Sequence, residues 1–244
     1  MADAISAYHD YVVKQLKELR GRLGDLGTAL AQDDVDGART AWLSAQQCWQ
    51  RVGAAYGSFG ELGDAISPGS RGLQRGSEDP GFTGLRRLEY GLWHGQGQTQ
   101  LKPVLDRLAT DLDALEKKLP ELSTDPADMP LRLHEILEDA QRDHLSGNGD
   151  QGSGTAVALT RADVEATQEV LNLLRTLLER LKSGYPAQLD RELSSLLQAI
   201  DQTRAAGSWI PYPQLSILQR QRVNGALGQA LETLALAPAL FSTE

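Results

Sequence analysis

Ile5-Ser6-Ala7-Tyr8-His9-Asp10-Tyr11-Val12-Val13-Lys14-Gln15-Leu16-Lys17-Glu18-Leu19-Arg20-Gly21-Arg22-Leu23-Gly24-Asp25-Leu26 carries its apolar residues at Tyr8, Val12, Leu16, Leu19, Leu23 and Leu26. Steps of three and four put all six on one stripe of an α-helix, with charged side chains filling the rest of the surface. The same period returns along most of the 244 residues, and no stretch alternates in the manner of a strand. The spacing predicts helices over 5–31, 37–61, 84–93, 100–119, 131–145, 161–182, 185–206 and 215–234. Asp33-Asp34-Val35-Asp36 reads as a turn and N-cap, Thr160 with Asp163 as an approximate capping box, and 209–213 as a proline-bounded turn. The glycine- and proline-rich stretches 63–84 and 150–159 interrupt this pattern. Irregular segments of such length are uncommon in compact domains and often functional. The fold class is therefore all-α. The 120–130 segment is the best internal boundary, so the expectation is two antiparallel helical bundles, 1–122 and 123–244, packed into one unit.

Composition narrows the function. A net charge of −9 argues against nucleic acid, whose phosphates demand a basic face. It is compatible with cation binding and with an ordinary solvated acidic surface. The one cysteine, Cys48, lies between Gln47 and Trp49 in a helical pattern and reads as a buried thiol. No apolar run reaches the roughly 18 residues of a membrane span. The N-terminus shows neither basic n-region nor apolar h-region, so the chain reads as cytoplasmic or as a mature form with an added Met.

Glu89 is three residues from Arg86 in Gly84-Leu85-Arg86-Arg87-Leu88-Glu89-Tyr90-Gly91-Leu92-Trp93-His94, so the two share a helix face. They could neutralise one another as an ion pair. A second cluster is His134, Glu135, Glu138 and Asp139, in which His134 and Glu138 are at i, i+4. That spacing suits a metal site in a bundle core, or a solvated face with Glu138–Arg142 pairing. Glu61 and Asp64 sit where a helix gives way to the first irregular stretch, as oxygen ligands for a hard cation or as a solvated turn. His94 is expected at the mouth of that stretch, and His9 and His144 at the surface. Trp42, Trp49, Tyr56 and Trp93 read as core. Gly152-Ser153-Gly154 is no phosphate loop, since no strand precedes it and no Gly-Lys-Ser/Thr follows.

The 84–94 stretch resembles the signature of the imelysin-like, EfeO-type iron-uptake proteins, Gly-x-His-x-x-Glu followed by a Gly-Leu-Trp tail. Residues 52–66, 79–84, 133–140 and 152–164 resemble the same family in the same order. The resemblance implies two four-helix bundles, an extracytoplasmic location behind a signal or lipoprotein peptide, and iron acquisition beside an iron permease and a haem peroxidase. It implies Glu89 as a metal ligand, with Glu61, Asp64, His134 and Glu138 as further candidates for iron or another divalent or trivalent ion. One element departs from it: Arg86 holds the histidine position. A guanidinium has no lone pair to give, and at about 4 Å its charge repels a cation by roughly 4 kcal/mol at an effective dielectric near 20. The alternative is a metal-free module in which Arg86, Arg87 and His94 bind an anionic ligand. Some family members have been classed as peptidases, but the chain shows no His-Glu-x-x-His motif and no catalytic constellation. It also shows no cupredoxin-like strand domain of the kind that precedes this unit in some relatives.

Overall fold

The computed structural model describes residues 1–122 and 124–242. Helix α1 (Ala2–Ala31) buries the whole predicted stripe, Tyr8 through Leu26. Asp34 then caps α2 (Val35–Gln50) by accepting from the Gly37 N–H at 2.9 Å. The predicted second helix was to run to Glu61. Instead it stops at Gln50 and is followed by a 3₁₀ turn, Gly53–Ala55, and two short helices, α3 (Tyr56–Phe59) and α4 (Glu61–Ile66). The phenol of Tyr56 donates to the Trp49 carbonyl at 2.7 Å, satisfying an acceptor the helix end would otherwise leave open. Gly60, at φ +54°, supplies the break between α3 and α4.

Helices α5 (Gly84–Trp93) and α6 (Gln98–Lys118) follow. Gly84 is required twice over: its φ is +73°, and a Cβ there would fall 2.5 Å from the Ile66 carbonyl oxygen. Helix α7 (Asp128–Asp139) continues into one widened π-helical segment, Ala140–Leu145. Helix α8 (Ala156–Leu181) starts four residues before Thr160, so the expected cap is corrected: Thr160 lies inside the helix, fully buried, and donates back to the Ala156 carbonyl. The run Ala156-Val157-Ala158-Leu159 is good helix material with its apolar groups buried, and packing extends the helix through it. Helix α9 (Tyr185–Asp201) ends short of the predicted 206. The chain there turns through Ala206 and Gly207, both at positive φ, between two-residue strands β1 (Arg204–Ala205) and β2 (Ser208–Trp209). Helices α10 (Ile217–Leu234) and α11 (Ala237–Phe241) complete the fold.

The architecture is all-α. Helix α1 packs along α2 and α6, and α5 packs on both α2 and α6. In the other group α8 packs on α7 and α9, and α9 on α10. Contacts of α8 with α1 and α2, and of α7 with the 53–55 turn, join the two groups around one continuous apolar core. Trp42 is fully buried, its indole N–H donating to the Leu85 carbonyl at 2.8 Å and its ring edge-on to Trp93. Cys48 is buried, which pushes its thiol up to about 11 and leaves it inert. Among the described residues no helix is long and apolar enough to cross a membrane.

Candidate functional site

The C-terminal end of α2, the α4 region, α5, the α7–π junction and the start of α8 converge on a cavity of about 280 Å³. Its polar wall comprises Asp64, Ser67, Arg86, Asp139, Arg142, Asp143, His144 and Asp163 with Gln46 and Gln50, and Trp49, Tyr56 and Ile136 supply the apolar wall. A second, much smaller pocket adjoins it, sharing Gln46, Arg86 and His144 and reaching Glu89, Asp150 and Ser153.

Glu89 is buried on the inner face of α5. Its Oε1 accepts from Ser153 Oγ at 2.5 Å and from the backbone N–H groups of Gln151 at 3.0 Å and Ser153 at 3.4 Å. Burial raises its pKa to about 7 against these three donors, and the nearby Asp150 adds to the rise. The second irregular stretch thus folds as a collar around this carboxylate. Asp150 holds the collar's shape by accepting from the N–H groups of Gly152 and Gly154.

The expected Arg86–Glu89 ion pair does not form. The two side chains leave the same helical turn in different directions. Arg86 Nη1 donates to the Gly149 carbonyl at 3.0 Å, an approach that Gly149 permits because a Cβ there would collide with that nitrogen. Among the described residues Arg86 forms no ion pair, although it lines the same cavity as four aspartates.

A buried polar chain lines the same cavity. Tyr56 hydroxyl lies 2.9 Å from Gln50 Oε1, and Gln50 Nε2 lies 2.5 Å from His144 Nε2. The expectation of a surface His144 is corrected: the π-helical turn rotates it inward, and it is 7% exposed. Burial, reinforced by Arg86, drives its pKa down to about 3, so the imidazole is neutral. His144 Nε2 is 3.4 Å from Asp163 Oδ2, but that oxygen has no hydrogen-bond partner. Asp163, 5% exposed, consequently has its pKa raised well above the ordinary carboxylate value, mainly by burial. Gln46 Oε1 is a second buried acceptor without a partner. At the rim Asp139 and Asp143 share Arg142, at 2.7 and 3.1 Å.

Of the residues expected from sequence, the fold brings Glu89, Arg86 and Asp64 to these adjoining pockets. Glu61 is exposed on α4 and lines neither pocket. His134 and Glu138 contact each other at 3.3 Å but face away from the cavity, with the Glu138 side chain half exposed. Helix α7 turns Ile136 and Asp139 inward instead. Arg87 lies on the far side of α5 over the Tyr90 ring, so it does not join Arg86. His94 is exposed and stacked on Tyr90. His9 is half-buried against the Leu119 carbonyl. Sequence reading missed Gln46, Gln50, Asp143, His144 and Asp163 as site residues. Gln46 and Gln50 at i, i+4 beside Trp49, and Asp163 between Ala162 and Val164 on the apolar face of its helix, were the available signals. Among the described residues no three His, Cys, Asp or Glu side chains are gathered so as to hold a metal ion on their own.

A pair of helical groups enclosing a carboxylate-lined cavity at their junction, with a glutamate collared by a glycine-rich loop, defines the class. The chain belongs to the imelysin family: the Imelysin (peptidase M75) family model matches residues 4–236. It is similar to the "Iron uptake system component EfeO" of Escherichia coli O157:H7, of E. coli strain K12 and of Shigella flexneri, each 24% identical over 235 residues. The match covers 96% of this chain and 63% of those relatives' length.

Proposed function

We propose that this chain is the non-enzymatic, extracytoplasmic iron-binding component of an EfeO-like uptake system, which takes up iron in the cavity above and passes it to a permease working beside a haem peroxidase. The observation that carries the reading is the cavity itself. Four aspartates line it where the two helical groups meet, the collared Glu89 lines the small pocket beside it, and hard oxygen donors in a partly closed site suit ferric iron. The similarity to relatives named as iron-uptake components supports the cargo. Of the sequence candidates, Glu89 and Asp64 belong to this site, together with Asp139, Asp143, Asp163 and His144. A hydrolytic role finds no support in the cavity's one histidine, whose pKa, driven down to about 3, leaves it a weak base.

Thermal unfolding of metal-stripped protein with Fe(III), Fe(II), Zn(II), Cu(II) and Ca(II) tests this. Iron at a hundredfold excess over its Kd adds about 2.7 kcal/mol, a rise of roughly 5–10 °C for a chain of this size. Asp163→Asn is expected to abolish the rise. No response to either iron species would refute the reading. One observation favours the metal-free alternative, an anion held by Arg86: that side chain has no carboxylate partner among the described residues. A rise with an anion alone, and none with iron, would establish it.

A further inference from the structure

Two features of the cavity do not fit a bare ion. Arg86 projects a guanidinium into it, and that group spends one donor on the Gly149 carbonyl and forms no ion pair among the described residues. Four further N–H donors remain for an acceptor that the described residues do not provide. In the same cavity, Asp163 Oδ2 and Gln46 Oε1 are buried acceptors with no donor, on residues 5% and 2% exposed. An orphaned buried acceptor is costly, and the half-buried Arg86 keeps N–H donors that can reach a ligand in the same cavity. A ligand carrying a cationic centre at one end and an anionic group at the other would satisfy both. The volume, about 280 Å³, is close to the lower limit for small-molecule sites, about 300 Å³, and far exceeds what one ion fills.

Resting on the iron reading above, we propose that the cargo is ferric iron bound to a small polycarboxylate: the metal faces Asp163, and a free carboxylate of the chelator sits on Arg86. Ferric iron takes about six oxygen ligands, and among the described residues no three acidic, histidine or cysteine side chains are placed to hold a metal. The chelator supplies the missing ligands. The arginine at the position of the signature histidine then has a role: its planar fork matches a carboxylate in two parallel hydrogen bonds. Neutral His144 adds no repulsion.

The test uses the full chain, ferric citrate carrying radiolabelled citrate, and desalting followed by counting of both iron and label. Wild type is expected to retain iron and citrate one to one. Arg86→Gln should bind the complex at least tenfold more weakly, and Arg86→Lys should fall between, since it keeps the charge and loses the fork. Asp163→Asn should release both components. Arg86→His, which restores an imidazole beside Glu89, should retain iron without citrate. Melting curves of each variant confirm that it is folded. Iron retained by wild type equally well without citrate would overturn the proposal, as would Arg86→Gln behaving like wild type. Citrate retained without iron would overturn the metal bridge. If wild type retains neither Fe(III) nor Fe(II), with or without citrate, the iron reading of the cavity falls as well, an outcome separate from the other three.

Discussion

Replacing Glu89 by glutamine should stabilise the metal-free protein at neutral and alkaline pH and leave it unchanged in mild acid. Burial raises the Glu89 pKa from its ordinary 4.5 to about 7. The folded state therefore binds a proton there that the unfolded chain has already released, throughout the window between those values. Stability falls as pH rises through that window, because the unfolded state binds fewer protons than the folded one. Below 4.5 the group costs nothing. Above 7 it imposes its full penalty, 7 minus 4.5 at about 1.4 kcal/mol each, or about 3 kcal/mol. Glutamine keeps the acceptor that Ser153 and the Gln151 N–H use, and its amide N–H can point to Asp150, which already favours a proton on this side chain. At roughly 2–4 °C per kcal/mol, the variant should melt about 6–12 °C above wild type at pH 8 and level with it at pH 4.5. Parallel thermal scans from pH 4.5 to 8.5 measure this. A variant less stable than wild type at pH 8, or a gap that does not change with pH, would refute the burial argument.

His144 works in the opposite sense. Its pKa, lowered to about 3, means that the stability of the neutral buried ring is present above 6.5 and is lost as pH falls toward 3, so His144→Gln should flatten the acid limb of the same scans. Gly84→Ala forces a side chain into a left-handed backbone position against the Ile66 carbonyl; a loss of several kcal/mol in urea unfolding is expected, with weakened iron retention because α5 carries both Arg86 and Glu89. Trp42→Ala removes a fully buried indole and its hydrogen bond to the Leu85 carbonyl, for a loss of about 3–5 kcal/mol in the same assay. His134→Gln and Glu138→Gln, whose side chains face away from the cavity, should leave iron retention by desalting at the wild-type level.

The helices were legible because their cause is local. A 3.6-residue apolar period over α1, α8 and α10 is written in the order of residues, and water enforces it wherever the chain folds. Glu89 was legible too, through the motif around it. Which way a side chain leaves its helix was not. Arg86 and Glu89 sit one turn apart and were read as a pair, yet the collar from Gln151 to Ser153 captures one and Gly149 the other, and that collar lies over sixty residues away in sequence. The π-helical turn after Asp139 rotates His144 inward, while the i, i+4 pair His134–Glu138 stays outside. A helical wheel states which residues share a face, and the packing of α7 on α8 and on the 53–55 turn decides which face meets the cavity. The sequence by itself determined an all-α chain of the imelysin family and singled out Glu89 in its signature helix as a candidate ligand. Only the tertiary structure could decide the cavity's membership, because Gln46, Arg86, His144 and Asp163 come from four separate elements, and their burial and unmet hydrogen bonds exist only once those elements have docked.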